Sequence, residues 1–262
     1  MASRVVRRLT GALQRHGWPT FFYLVAYNVY YFVRHRGRFR PEDPDGQAFD
    51  RTYGVETTEI REIGSLDIDP QIARHGIRYQ PSSRDVFDEA LAVCSIEFSR
   101  YHFIDFGCGK GRAMLFASDY PFAAVVGVEF SHELCAVARR NMERYRNTRQ
   151  RCHDLLVVHD DATRFELPRE PLVCYFNNPF DDVIMGQVVQ NLERSLDVVP
   201  RDVVVIYVEP RFRSPFATSP RWHCVTECRR FVVYRAGRAR RSVDPLDGSS
   251  DVVHPEDGGD SS

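Results

Sequence analysis

The sequence predicts a doubly wound α/β fold, in which helices cover both faces of a mainly parallel sheet. Short apolar runs alternate with segments of helical periodicity from residue 101 onward. The runs are continuously apolar, as in strands that are buried on both faces of a sheet. The predicted strands are Tyr101–Phe106, Ala123–Val128, Leu155–His159, Leu172–Phe176 and Val203–Val208, and the predicted helices between them are Lys110–Ser118, Ser131–Tyr145 and Asp182–Leu196.

This alternation places one domain in the middle of the chain. A further helix, with Ser82 or Ser83 as its N-cap, precedes the first strand. We therefore predict a domain over residues 79–235, preceded by a polar, turn-rich linker or lid over 41–78. Residues 1–40 are predicted to be a basic and aromatic helical extension, and residues 236–262 a disordered acidic tail.

The first 40 residues hold eight arginines and no acid, although the whole chain has 35 basic and 36 acidic residues. Residues 18–33 contain eight aromatic side chains, but they are too few and too polar for a spanning helix, which needs about 20 apolar residues. Two interpretations remain open. The segment is either a helix packed on the domain or an interfacial helix at anionic headgroups, which would give a cytoplasmic protein a peripheral contact with the inner face of the membrane.

The seven cysteines include no C-x-x-C pair and form no zinc-type spacing. An odd number of cysteines favours a reducing compartment, which agrees with a cytoplasmic location. The sequence therefore predicts no metal site, and most of the thiols are expected to be small buried hydrophobic groups.

A glycine-rich turn follows the first predicted strand. Gly107, Gly109 and Gly111 alternate with other residues, and alternating glycines allow positive φ angles and a close approach of a ligand to the backbone. Arg112 stands where a dinucleotide fingerprint would need its third glycine. Asp105, just before the turn, would repel a phosphate and suits a cationic ligand. Lys110 and Arg112 are expected to cap the turn or to face solvent.

The next two loops carry acids at strand ends. Glu129 ends the second strand, where an acid is placed to accept two ribose hydroxyls, and Phe130 beside it is suited to lie on a flat base. The alternative for Glu129 is a helix-capping acid near Ser131. Asp161, followed by Ala162, ends the third strand and is suited to accept from an adenine amino group.

The last two loops carry amides and another acid. Asn177 and Asn178 directly follow the fourth strand and precede Pro179-Phe180, and two amides offer several donors and acceptors in a place where desolvation is costly. Glu209 ends the fifth strand. Because ligands bind beyond the carboxyl ends of parallel strands, all five loops are expected to line one site.

In this order the loops resemble those of the class I, or seven-strand, S-adenosylmethionine-dependent methyltransferases over about residues 79–235. The motifs that carry the resemblance are F-I-D-F-G-C-G-K-G-R-A, V-V-G-V-E-F-S, H-D-D-A and N-N-P-F. It implies a Rossmann-like, mainly parallel seven-stranded sheet and an enzyme that uses S-adenosyl-L-methionine. Among such enzymes the chain is most similar to bacterial members and to the lysine methyltransferases on this fold.

The resemblance also implies residue roles. Asp105 and the three turn glycines would surround the methionine part of the cofactor, Glu129 would bind the ribose, and Phe130, Asp161 and Ala162 would bind the adenine. Tyr79 and Ser82, in Y-x-P-S, look like the cofactor-covering segment of the lysine enzymes. The full set of expected cofactor-binding residues is Tyr79, Ser82, Asp105, Gly107, Gly109, Gly111, Glu129, Phe130, Asp161, Ala162 and Asn178.

The acceptor is less well defined than the cofactor, because Asn178 departs from the N-P-P-[FY] box of amino-group methyltransferases. We predict methyl transfer to an amine of a protein lysine or a small molecule, with Asn177 or Asn178 aligning the amine and Glu209 accepting its proton. A nucleic-acid acceptor is disfavoured, since the box is imperfect and no separate base-recognition domain is visible. The alternatives are an NAD-type Rossmann oxidoreductase and a non-catalytic S-adenosylmethionine-binding protein.

Overall fold

The computed structural model describes residues 44–58 and 81–236. Its helices are α1 (Pro44–Tyr53), α2 (Arg84–Ala92), α3 (Arg112–Ser118), α4 (His132–Arg144), α5 (Asp182–Val198) and α6 (Ser214–Ala217), with a 3₁₀ turn at Phe98–Arg100. Its strands are β1 (His102–Phe106), β2 (Ala124–Glu129), β3 (Leu155–His159), β4 (Leu172–Asn177), β5 (Val203–Val208), β6 (His223–Glu227) and β7 (Phe231–Ala236).

The strands form one seven-stranded sheet in the order β3-β2-β1-β4-β5-β7-β6. Strands β1 to β5 pair parallel with one another, whereas β7 pairs antiparallel with both β5 and β6. The five predicted strands and the three predicted crossover helices are confirmed, and so is the helix that precedes them. The sheet is mainly parallel, as expected, with an antiparallel hairpin at one edge.

Helices cover both faces of the sheet, and successive strand residues point to opposite faces. On one face α2, α3 and α4 pack on a core that contains Phe87, Phe103 and Met114. On the other face α5 and α6 pack on a core that contains Ile104, Phe176 and Leu192. This double cover explains why the parallel strands are apolar at nearly every position.

The described part of the predicted linker is a folded part of the domain. Helix α1 packs Phe49 against Phe116 of α3, with ring centroids 5.2 Å apart, and Tyr53 against Tyr145, at 4.9 Å. The residues that follow α1 lie against the glycine turn. Residues 44–58 therefore belong to the packed structure, a finding that the turn-rich composition of this stretch did not predict.

Several predictions fall outside the described residues: the extension over 1–40, most of the linker, Tyr79 and the tail beyond Ala236. Within the described ranges, no helix has both the length and the hydropathy needed to cross a bilayer. All seven cysteines are free thiols, and five of them are buried, as expected for small apolar groups.

Candidate active site

The glycine turn joins β1 to α3 and is attached to the neighbouring strand. The N–H groups of Gly107 and Cys108 donate to the carbonyl of Val128 in β2, at 2.8 and 3.2 Å. Gly107, Gly109 and Gly111 have φ angles of 71°, 56° and 82°. All three glycines thus adopt the left-handed conformation that side chains disfavour, as the sequence predicted.

The turn directly touches the loop that carries the two amides. A Cβ atom at Gly107 would lie 2.6 Å from Cβ of Pro179, which is closer than real Cβ contacts. The missing side chain therefore lets the β1 and β4 loops meet at the carboxyl edge of the sheet. Asn177-Asn178-Pro179 and the glycine turn form one site, as expected from their positions after adjacent strands.

Asp105 is a nearly buried carboxyl group beside the turn. It lies on β1 between Gly127 of β2 and Tyr175 of β4 and is 3 % exposed. Among the described residues its side chain has no hydrogen-bond partner. Burial, together with the nearby charge of Glu129, raises the pKa of Asp105 to about 8. A cationic ligand would stabilise its ionised form, because an opposite charge favours the charged state of a carboxyl group.

Glu129 is the second buried carboxyl group, with 4 % exposure. Its two oxygens accept from the N–H groups of Gly109 and Ser131, both at 2.9 Å. Burial raises the pKa of Glu129, and these N–H groups act in the opposite direction. Glu129 therefore ties the glycine turn to the start of α4. The contact with the N–H of Ser131 is the helix-capping interaction that is one of the two interpretations of this acid.

The ends of β2 and β3 lie side by side. Phe130 is half-buried, and its carbonyl oxygen lies 2.9 Å from Nε2 of His159. One oxygen of Asp161 accepts from the N–H and the hydroxyl of Thr163, which fixes the carboxylate in a tight turn. Ala162 is buried, and its N–H makes no hydrogen bond within the described part of the chain. The loop thus presents one carboxylate oxygen and one N–H group next to Phe130.

Ser82 also approaches the site. It is 6 % exposed and accepts a hydrogen bond from the hydroxyl of Tyr175 at 3.0 Å. Tyr175 pairs in register with Asp105. The structure therefore brings Ser82 to the carboxyl side of β4, one strand from the turn. Tyr79, its expected partner in covering the cofactor, lies outside the described residues.

A group of polar residues that sequence reasoning did not assign to the site holds the glycine turn from outside. We call residues 50–58 the clasp. Nζ of Lys110 lies 2.8 Å from Oε1 of Glu56, and Lys110 is completely buried. Asn141 of α4 joins both partners, since its side-chain amide donates to the carbonyls of Glu56 and Lys110 at 3.0 and 2.9 Å.

The second half of the clasp holds Arg112. The Nε–H of Arg112 donates to the hydroxyl of Thr57 at 2.7 Å, and a terminal N–H of Arg112 donates to the hydroxyl of Thr58 at 2.8 Å. The carboxylate of Asp50 in turn accepts from the N–H and hydroxyl groups of both threonines, at 2.6–2.8 Å. Lys110 and Arg112 therefore do not face solvent. They connect the turn to a segment more than 50 positions earlier.

The two amides end β4 beside the end of β5. Asn177 is half-buried and pairs in register with Val208, and Asn178 follows it with 7 % exposure. The hydroxyl of Tyr207 donates to Oδ1 of Asn178 at 3.4 Å. Asn178 has a φ angle of 48°, in the left-handed region, which asparagine tolerates better than most residues. The amide is thus held in a strained, nearly buried position.

Glu209 follows Val208 and ends β5. It also has a positive φ, 45°, and its N–H donates to the carbonyl of Arg230 at 2.8 Å. Glu209 is exposed, and its side chain makes no hydrogen bond within the described residues. Its backbone therefore lies next to the amide loop, while its carboxylate faces outward.

Comparison with known proteins gives a family for the centre of the chain. Residues 104–204 match a sequence family described as a methyltransferase domain. No curated protein sequence matches the chain. The matched segment runs from the middle of β1 to the start of β5 and includes most of the candidate site.

Solved structures with a similar fold include several methyltransferases. An RNA methyltransferase from Salinibacter ruber, in complex with S-adenosyl-L-homocysteine, is 18 % identical, with 64 % of this chain and 99 % of that chain covered and a TM-score of 0.41. The N-methyltransferase NodS from Bradyrhizobium japonicum WM9 is 10 % identical, with 59 % and 96 % covered and a TM-score of 0.43. The glycopeptide N-methyltransferase MtfA complexed with S-adenosyl-L-methionine is 16 % identical, with 60 % and 67 % covered and a TM-score of 0.38.

The parallel sheet, the glycine turn and the acids at the strand ends define an α/β enzyme with a site at the carboxyl edge. Residues 104–204 match the methyltransferase-domain family, and the protein is an enzyme that uses S-adenosylmethionine.

Proposed function

We propose that the enzyme transfers the methyl group to an amine nitrogen of a protein lysine or a small molecule. The observation that carries this proposal is the amide of Asn178, which is nearly buried at the end of β4 and receives a hydrogen bond from Tyr207. A buried amide oxygen with a fixed orientation is suited to hold the hydrogens of an amine. It would leave the nitrogen lone pair free to point toward the methyl group.

The residues around the glycine turn fit the cofactor. Asp105 offers a carboxyl group without a protein partner to the cationic methionine part, where the glycines allow close approach. Glu129 keeps lone pairs for the ribose hydroxyls, beyond the two that accept from Gly109 and Ser131. The second oxygen of Asp161 and the N–H of Ala162 suit the adenine edge, with Phe130 beside the ring. Ser82 would line the methionine side.

The chain itself has to orient the acceptor and exclude water. S-adenosylmethionine supplies a methyl group that its sulfonium sulfur has already activated. Good orientation of two reactants accounts for roughly 7–11 kcal/mol of a barrier. We assign this task to Asn178, with Asn177 as the alternative at the last position of β4. Pro179, packed on Gly107, keeps the amide loop close to the turn.

The acceptor amine has to lose a proton. An unperturbed lysine amine has a pKa of about 10.4, so it reaches the site protonated at neutral pH. We propose that Glu209 accepts this proton. Glu209 follows the last residue of β5, next to the amides, and its side chain is exposed. The amine gives up its proton and forms the new N–C bond with its lone pair, while the leaving sulfur keeps the electrons of the broken C–S bond.

A radiolabelled methyl-transfer screen on membrane and soluble lysate fractions tests the proposed acceptor. Label in protein that survives acid hydrolysis as methyl-lysine supports a lysine acceptor, and label in extractable amines supports a small molecule. Label found only in RNA or on oxygen would contradict the proposal.

Substitutions in the amide loop test the proposed roles. Tyr207→Phe removes the hydroxyl that holds Asn178 and also accepts from the N–H of Phe212, and we expect about a tenfold loss of kcat with unchanged cofactor affinity. Tyr234→Phe on the neighbouring strand β7 is the matched control, because Tyr234 is also buried. Asn177→Ala and Asn178→Ala identify which amide aligns the acceptor. Full turnover in both alanine variants would show that neither amide aligns the acceptor.

A further inference from the structure

A basic surface lies on the side of the molecule that the methyltransferase site does not use. Between positions 139 and 151 the chain holds six arginines and a single acid, Glu143. All six arginines are exposed. They are Arg139, Arg140, Arg144, Arg146, Arg149 and Arg151, and we call them the arginine corner.

The arginine corner is a dense group of arginines without carboxylate partners in the described part of the chain. Within the residues that the structure describes, none of its six guanidinium groups forms an ion pair. Arg139 and Arg146 bond only to backbone carbonyls, those of Val157 and Tyr145. Elsewhere several arginines are paired with carboxylates, namely Arg84, Arg213, Arg221, Arg230 and Arg235. The corner therefore holds an excess of positive charge that the described domain does not neutralise.

The position of the corner follows from the topology. Helix α4 starts after β2 at the carboxyl edge and returns to the opposite edge, where residues 145–154 lead into β3. Helix α1, which joins residues 1–43 to the domain, packs on Tyr145 at the start of that loop. Helix α1 thus contacts the residue that lies between Arg144 and Arg146 of the corner.

The chemistry of the corner fits an anionic lipid surface better than RNA. Single-stranded RNA is bound by stacking on exposed aromatic rings, but Tyr145 is fully buried, and the large exposed apolar side chains of the described residues are all aliphatic. One of them, Leu156, is 55 % exposed on the adjacent strand β3. Clusters of four to eight basic residues bind anionic headgroups.

We propose that the arginine corner docks the enzyme on an anionic membrane surface. The methyltransferase site lies at the carboxyl ends of the parallel strands, and the corner lies toward the opposite edge of the sheet. A docked enzyme therefore presents its site to the aqueous side. This orientation allows the acceptor to reach the site from solution while the enzyme stays on the membrane.

Vesicle co-sedimentation of the full chain tests the proposal. The probes are vesicles of phosphatidylcholine alone and of phosphatidylcholine mixed with phosphatidylserine. We expect binding only to the mixed vesicles, weakened by salt. The variant Arg140→Gln/Arg144→Gln/Arg146→Gln/Arg149→Gln should bind them at least about tenfold more weakly. The matched control is Arg100→Gln/Arg169→Gln/Arg194→Gln/Arg229→Gln, which removes the same charge from exposed arginines elsewhere that form no ion pair within the described residues.

The corner variant should keep the melting temperature and the S-adenosylmethionine affinity of the wild type, because it changes only exposed residues away from the site. Equal vesicle binding by the wild type and the corner variant would overturn the proposal. The proposal would also be overturned if the wild-type chain does not bind anionic vesicles, or if the corner binds a single-stranded RNA probe instead. An equal loss of vesicle binding in the control variant would show that binding depends only on net charge, and this result would also overturn the proposal.

Discussion

The two halves of the site differ in how firmly the protein holds them. The half formed by β1, β2 and the clasp is buried, and its turn is tied to β2 through Glu129 and to the clasp through Lys110 and Arg112. The half formed by β4 and β5 ends in two left-handed residues, Asn178 and Glu209, and the second is exposed. We propose that the first half holds the cofactor and that the second half receives the acceptor.

The clasp gives the largest expected effect. Asp50→Ala removes four hydrogen bonds to Thr57 and Thr58, and we expect a loss of about 3–5 kcal/mol in the free energy of unfolding. Urea denaturation measures this loss. Asp45→Ala, an exposed acid at the start of the same helix, should cost less than about 1 kcal/mol. Equal costs for both variants would show that the clasp adds no stability.

The contact between the halves gives the next largest effect. Gly107→Ala places a Cβ against Pro179 at a residue with positive φ, and we expect it to cost about 3 kcal/mol of stability. Gly186→Ala, in helix α5, meets no atom within 4 Å and should stabilise the protein by about 0.5–1 kcal/mol. Thermal unfolding of both variants measures the difference. A harmless Gly107→Ala would mean that the two loops do not pack as described.

The buried carboxyl groups predict a pH dependence of the cofactor-free protein. Folding raises the pKa of Asp105 to about 8, so the native state binds its proton more tightly than the unfolded chain. The stability from this group is fully present below its unfolded pKa of about 3.9 and is lost as the pH rises through about 8. Asp105→Asn should remove this loss, which we expect to be about 4 kcal/mol between pH 5 and pH 9, at about 1.4 kcal/mol for each pH unit between 5 and 8.

Urea denaturation of wild type and Asp105→Asn at the two pH values checks this prediction. Parallel losses of stability in both proteins would contradict it.

Much of the fold could be predicted because the parallel strands are buried on both faces and are therefore continuously apolar. Strand β6 gave no such signal, since His223–Glu227 lies at the edge of the sheet and most of its residues are exposed. The positions of the turn glycines and of Glu129 could also be predicted, because strand ends and glycine spacing are local properties of a sequence.

The clasp could not be predicted in the same way. Asp50, Glu56 and Thr57 lie in a stretch that has the composition of a loop. The partners of Glu56 and Thr57, which are Lys110 and Arg112, lie more than 50 positions later in the sequence. The available signals were Lys110, the only lysine of the chain, and Arg112 at a position where a dinucleotide site has glycine. Neither signal identifies a partner, because a tertiary contact depends on the folded path of both segments.

Titration calorimetry of the full chain with S-adenosylmethionine tests the central claim most directly. We expect one cofactor per chain, with binding weakened by about 1–3 kcal/mol in Glu129→Ala, the range for hydrogen bonds to a charged group. Glu133→Ala, an exposed acid in the first turn of α4, should bind as the wild type does. A folded wild-type chain that takes up no S-adenosylmethionine, or a Glu129→Ala variant with undiminished affinity, would contradict the assignment of this site.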